Sequence, residues 1–299
     1  MAVSEIVRNM EDKYYKTGKV YVAVFLNKRK QNPNASLKVP IECSDEEDVD
    51  LNIIRNLCKT KFGVDIEDEI VRNNNKDEIL KKLKAFSETR AKDFDCFLFF
   101  FLGFIGDSQG ATDSQTYKSD DGFLPIDEIY NSVKKSSDMA GKPKVFAFQA
   151  GDTRLLPSTS MTKAIPYGKE VEPKTKKIPT DADMLIITST IPQLLANTNH
   201  ERFQTYTGFA PKATTSVQPS DAVRGSFLIQ AFVDSVLDES NRDADILTLT
   251  TVMNGKIEDL IEDVKKDERF DDKINQQILD KLELPLTTST LTKLVVFKK

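Results

Sequence analysis

The chain has 299 residues, 39% hydrophobic and 30% charged, with 42 basic against 47 acidic side chains and a net charge of −5. That length carries one large α/β domain or two ordinary ones, and the apolar content excludes global disorder. The charge leaves no general positive surface for nucleic acid or an anionic membrane. Three widely spaced cysteines, Cys43, Cys58 and Cys96, form no C-x-x-C pair. They argue against a disulfide scaffold and against a zinc site, and they fit a reducing compartment. The single histidine, His200, removes most histidine-dependent chemistry. Met1–Gly18 has no apolar signal core, and the longest apolar run, Cys96–Leu102, is far shorter than the roughly 18–20 residues that cross a bilayer. The expectation is a soluble, cytoplasmic protein.

Strand and helix patterns alternate along the chain. Lys19–Leu26 (KVYVAVFL) is rich in β-branched and aromatic residues and predicts a strand buried on both faces. Ser44-Asp45-Glu46-Glu47 has the capping-box form S-x-x-E and predicts the start of a helix carrying Ile53, Ile54 and Leu57. The acidic run Asp45–Asp50 suits that helix N-terminus better than a metal site. Ile79, Leu80, Leu83 and Phe86 recur at helical spacing and predict a second helix over Asp77–Phe86. Asp95–Phe104 (DCFLFFFLGF) then reads as a central strand, its phenylalanines packed in a core.

A short helix opened by proline follows over Pro125–Val133, then strands over Lys144–Gln149 and Ala182–Thr190. Helices are predicted over Phe227–Leu237 and from Ile246 to Val264. A Thr/Val-rich strand over Leu286–Phe297 closes the chain. Strands that alternate with helices predict a mostly parallel sheet covered on both faces. Two segments break the order. Thr153–Lys177, with Pro157, Pro166 and Pro173, reads as an exposed linker, and Gln193–Val223 as a long polar loop.

No phosphate-binding, zinc-protease or hydrolase nucleophile motif is present. Cys58 and Cys96 fall on faces expected to be buried, where a thiol packs and does not react. Neither a cofactor nor a metal is expected.

Five blocks nevertheless carry a resemblance. AGKPKVFAFQAGDT (Ala140–Thr153) resembles the GKPK-(apolar)-QAC-R-G segment of caspases, the cysteine proteases of apoptosis. KIPTDADMLIITSTIP (Lys177–Pro192) is similar to the family's KIP-x-x-AD-(apolar)-STxPG. RGSFLIQAF (Arg224–Phe232), DILTLTTV (Asp245–Val252) and LPLTTSTLTKLVVF (Leu284–Phe297) resemble its GSWFIQ helix, its HILTxV helix opening and its final strand. The blocks keep the family's order. The resemblance implies a three-layer α/β/α sandwich around a mostly parallel six-stranded sheet. It divides the chain into a short tail (1–17), a large-subunit-like part (18–152), a linker (153–178) and a small-subunit-like part (179–299). With fewer than twenty residues before the first strand, no recruitment prodomain is expected.

The same alignment implies that the family's chemistry is missing. The nucleophilic cysteine falls on Gly151 and the histidine on Phe104. Glycine forms no thioester and phenylalanine carries no proton. The two arginines that hold the substrate aspartate fall on Ser44 and near Thr198, so Gln149 alone remains of the former pocket. Arg202 or Arg224 folding back into that space is a minor alternative.

What the resemblance implies for function is a catalytically dead regulator, similar to the decoy caspases of some insects. Such a chain pairs with an active caspase and most plausibly activates it allosterically. The alternatives are a dominant-negative inhibitor, or a caspase-fold binder of an unrelated partner. An enzyme with repurposed chemistry would draw on Asp107, Gln149, Asp152 and Ser189. The family dimerises through its final strand, which points to Thr288, Thr290, Thr292, Leu294 and Val296 as the interface, with a homodimer also open. No nucleic-acid or membrane partner is expected. Caspase maturation cuts after aspartate in the linker, yet Thr153–Lys177 contains none. Incubation with an active effector caspase is therefore expected to leave a single full-length band on a denaturing gel, and efficient cutting inside that segment would refute the reading.

Overall fold

The computed structural model describes residues 13–27, 48–107, 115–152, 182–191, 225–266, 279–280 and 282–297, with the backbone alone at 104–107 and 150–152. The linker 153–178, the long loop 193–223, His200 and Cys43 lie outside these residues.

Among the described residues eight strands form one sheet. They are β1 (Val20–Leu26), β2 (Ile70–Arg72), β3 (Cys96–Asp107), β4 (Gln115–Ser119), β5 (Gly122–Pro125), β6 (Lys144–Asp152), β7 (Met184–Ser189) and β8 (Leu286–Ser289). The main path runs β2-β1-β3-β6-β7-β8, parallel except for β8, which lies antiparallel to β7. A β4–β5 hairpin pairs antiparallel with the last residues of β3. The expected six-stranded, mostly parallel sheet is thus present, with the hairpin added. β2 and the hairpin escape sequence patterning because each is short and turns few apolar residues inward.

Alternation along the central strands builds two cores. Val20, Val22, Val24, Cys96, Leu98, Phe100, Val145 and Leu185 face α1 (Val49–Leu57), α4 (Phe227–Leu237) and α5 (Ile246–Lys266). Tyr21, Phe25, Phe97, Phe99, Phe101, Phe146 and Phe148 face α2 (Lys76–Thr89) and α3 (Ile126–Lys134). That is the α/β/α sandwich. On the second face, Phe25, Phe101 and Phe148 are register partners on β1, β3 and β6, with rings stacked at 4.7 Å across each step. Each such pair adds about 0.5–1.5 kcal/mol beyond area burial. No helix of the described residues is long and apolar enough to cross a membrane.

Helix starts follow local chemistry, with two corrections. The cap of α1 is Asp48, whose carboxylate accepts from the Leu51 amide, and not Ser44. Pro125 stands just before α3 and not inside it. Helix α2 opens with a full capping box between Asn75 and Glu78.

The end of the chain departs most from its sequence pattern. Strand β8 stops at Ser289, so the expected strand over Leu286–Phe297 is only four residues long. Beyond it the chain is drawn into its own hydrogen bonds. The Thr290 amide donates to Met184 O at 2.8 Å, and Thr290 Oγ1 accepts from the Met184 amide at 3.2 Å. The Thr292 hydroxyl donates to Asp183 Oδ1 at 2.8 Å, and its amide donates to the Tyr15 hydroxyl at 3.0 Å. The Tyr15 hydroxyl in turn donates to Asp183. Leu294 pairs in parallel with Tyr14, while Val295, Val296 and Phe297 are all buried. The predicted alternation of Thr288, Thr290, Thr292, Leu294 and Val296 on one face therefore breaks down after Thr288.

Burial raises the Tyr15 pKa, and its bond to Asp183 raises it further, so the phenol stays protonated and donating through neutral pH. Tyr15→Phe removes a donor from a buried carboxylate. It is expected to cost about 1–3 kcal/mol in urea unfolding, and an unchanged midpoint would show that this bond does not hold the two ends of the chain together.

Candidate functional site

In a parallel α/β sheet, side chains at the carboxyl ends of the strands meet helix N-termini and open toward solvent, so sites form there. Here that edge is made by the ends of β1, β3, β6 and β7. Strands β3 and β6 pair in parallel through Leu102↔Gln149, Gly103↔Ala150, Phe104↔Gly151 and Ile105↔Asp152. The two positions that the sequence assigns to base and nucleophile are thus direct neighbours, although they lie far apart in sequence. Pairing continues one step beyond them, and β3 runs on to pair Asp107 with Gln115 of β4.

Gly103 fixes how β3 leaves the core. A Cβ there would lie 2.6 Å from the Asn27 carbonyl oxygen, and the glycine adopts φ +158°. The clash is with backbone, so any side chain at 103 has to displace the exit of β1. Tyr117 closes the same corner, its buried hydroxyl within bonding distance of Leu102 O (2.9 Å) and Phe25 O (3.1 Å).

Gln149 and Ser189 are register partners at the ends of β6 and β7, and both are buried. Gln149 Nε2 donates to Ile191 O at 2.8 Å, and the Ile191 amide donates to Ser189 Oγ at 3.3 Å. Together they lock the turn that follows β7. Gln149 Oε1 is buried with no partner among the described residues. On the helical layer, Asp50 in the first turn of α1 accepts from the Ser226 amide, at the start of α4, at 2.6 Å. A Cβ on Gly225 would lie 2.4 Å from Ile53 Cδ1 and 3.0 Å from Asp50 Oδ1, so the two helix starts approach only across a glycine. Sequence patterning gave no sign of this Asp50–Ser226 link, because it joins elements 176 positions apart.

The structure therefore brings Gln149, Ser189 and the backbone of Phe104, Gly151, Asp107 and Asp152 to one edge. Ser44, Thr198, Arg202 and Arg224 lie outside the described residues. Cys58 and Cys96 are fully buried, and loss of solvation pushes each thiol up to about 12.

A caspase domain model matches residues 45–296, most of the chain. The chain belongs to the caspase family. No curated protein matches it. Among solved structures it is similar to pro-Sf-caspase-1, with TM-score 0.62 and 24% identity, covering 96% of this chain and 94% of that one. It is also similar to caspase-1 from Spodoptera frugiperda, with TM-score 0.60 and 22% identity over 96% and 94% of the two chains. At that identity the likeness shows the caspase fold, in agreement with the sheet order and the two helical layers.

A thiol pushed to about 12 holds a thiolate fraction near ~10⁻⁴ at pH 8, against about a quarter for an unperturbed cysteine. A Cys43→Ser variant is thus expected to react with a thiol-specific reagent at least ~10³-fold more slowly when folded than in denaturant. Fast labelling of Cys58 or Cys96 in the native protein would refute this account of their burial.

Proposed function

We propose that this caspase-fold chain is not a protease and acts in the cytoplasm as a regulator of an active caspase. The observation that carries the reading is the pairing of Phe104 with Gly151 at the strand ends. Peptide hydrolysis by this family requires a thiolate and a proton carrier side by side, and neither residue type supplies one. Cys58 and Cys96 offer no substitute nucleophile, since both are buried and protonated.

Pairing runs through β8. The strand bonds only β7 among the described residues and leaves its other edge open. The alternation of an antiparallel ladder turns the backbone groups of Thr287 and Ser289 away from β7, toward an incoming strand. Leu286 on this strand and Leu284 before it are 43% and 41% exposed. An open edge flanked by exposed leucines suits two-fold pairing with a second caspase-fold chain. Thr288 lies on this strand but turns its backbone to β7, whereas Thr290 and Thr292 serve the chain's own closure and Val296 its core. The proposed partner is an active caspase or its zymogen, and the proposed effect is to order that partner's active-site loops.

The test is titration of the chain into a caspase zymogen, following cleavage of an aspartyl peptide. The chain alone is expected to be inactive, and with the zymogen to change the rate in a saturable way; a rise marks an activator and a fall an inhibitor. Leu286→Glu, an exposed substitution, is expected to leave the melting temperature unchanged and to weaken the effect at least ~10-fold by burying a charge at the contact. Turnover by the isolated chain overturns the first half of the proposal. An undiminished effect of the folded Leu286→Glu variant overturns the second.

A further inference from the structure

Helices α2 and α3 lie side by side over the aromatic face of the sheet. Deep contacts join them through Leu83, Ile129 and Val133. The Ser136 hydroxyl donates to Ser87 O at 2.5 Å and fastens one end. Toward solvent the two helices border a shallow, open groove of about 380 Å³. Its apolar floor is the half-buried Leu80. Lys81 and Lys84 form one wall, Asn131 and Lys135 the other, and Glu128 lines it as well.

The lysines of α2 divide by their work. Lys82 serves the fold: its ammonium donates to Asp68 O at 3.1 Å and stands 3.6 Å from the buried Glu69. Lys84 stands 3.8 Å from Glu88 of its own helix. Lys81 and Lys135 face the groove without any carboxylate partner among the described residues. Like charges one helical turn apart, as at Lys81 and Lys84, are destabilising. Lys84 is answered by Glu88 and Glu128 offsets one further charge, so the cleft keeps a small positive excess from Lys81 and Lys135, in a chain whose net charge is −5. An anionic occupant answers that excess. The apolar floor adds a second requirement, since a bare inorganic anion gains nothing from Leu80.

We propose that the α2–α3 groove docks a peptide segment of a partner protein in which an apolar side chain is flanked by carboxylates. The apolar residue sits on Leu80 between the helices, and its neighbours' carboxylates reach Lys81, Lys84 and Lys135. The groove lies over β1, β3 and β6, away from the β8 edge, so the proposal stands independently of caspase pairing and leaves that edge free.

The probe is a fluorescein-labelled Asp-Glu-Leu-Phe-Asp-Glu hexapeptide, titrated with the full chain and followed by anisotropy. The controls are its Asn/Gln counterpart and a labelled single-stranded oligonucleotide. The expected result is saturable binding of the acidic peptide in the micromolar range. Lys81→Glu combined with Lys135→Glu is expected to weaken it at least 10-fold. Lys59→Glu, on the helical layer across the sheet, leaves it unchanged. Both side chains are exposed, but Lys135 is the C-cap of α3, where a cation is favoured, so a small fall in melting temperature is expected and Lys81→Gln/Lys135→Gln serves as the milder pair. Absence of saturable binding overturns the proposal. So does binding that survives both lysine pairs, equal affinity for the neutral peptide, or tighter binding of the oligonucleotide through the same lysines.

Discussion

Stacked rings across three parallel strands set the frame for everything else. Phe25, Phe101 and Phe148 stand in register, each 4.7 Å from the next, and Phe99 and Phe146 repeat the arrangement at 5.0 Å. Flat rings tolerate little sliding past one another, and a slip of one residue in any strand would also turn the opposite core inside out. Register in the middle of the sheet then dictates which residues meet at its end. Counting three steps on from the Phe101–Phe148 pair gives Phe104 beside Gly151. A core interaction thus sets the geometry of the strand ends without touching them.

A second constraint joins the two ends of the chain. Asp183 is buried, sits in the left-handed region at φ +66°, and accepts hydrogen bonds from Tyr15 and Thr292. Its main chain is engaged as well: its amide donates to Thr290 O at 3.0 Å and its carbonyl accepts from the Lys144 amide at 2.9 Å. A left-handed aspartate costs backbone energy, and the surrounding bonds offset it. One residue therefore decides where β6 and β7 begin, where β8 ends and where the N-terminal segment lies. The same residue keeps β8 short, which confines any partner edge to about four residues.

The fold was legible in the sequence wherever burial on both faces forced a continuous apolar run. Cys96–Leu102 and Val20–Leu26 could be nothing but central strands, and Ile79, Leu83 and Phe86 marked the inner face of α2. The hairpin was hidden because Tyr117 and Leu124 are the only apolar residues of Gln115–Pro125 that are buried, the other buried ones being Thr116 and Ser119. The end of β8 was hidden for a different reason. Thr290–Phe297 has the composition of a strand, yet its partners are Asp183 and a segment some 277 positions away, and no local pattern reports a contact of that range. At the site, the resemblance to caspases pointed to Phe104, Gly151 and Gln149. The Asn27 carbonyl against Gly103 and the Asp50–Ser226 bond emerge only when the chain is folded.

The edge at Phe104 and Gly151 is shaped by strand pairing as well as by its side chains. A nucleophile and base need a little room and a backbone free to approach a tetrahedral oxygen. In this chain β3 and β6 stay paired through Phe104↔Gly151 and onward to Ile105↔Asp152, and β4 then takes up the far end of β3. The corner behind them is closed by the Asn27 carbonyl, Gly103 and the Tyr117 hydroxyl. Strand pairing of this kind satisfies backbone groups at the strand ends and so contributes to stability there. Once it forms, a cysteine placed at 151 enters a paired strand, beside a neighbour that accepts no proton. The arrangement of this edge is thus set by the backbone as well as by the side chains at 104 and 151.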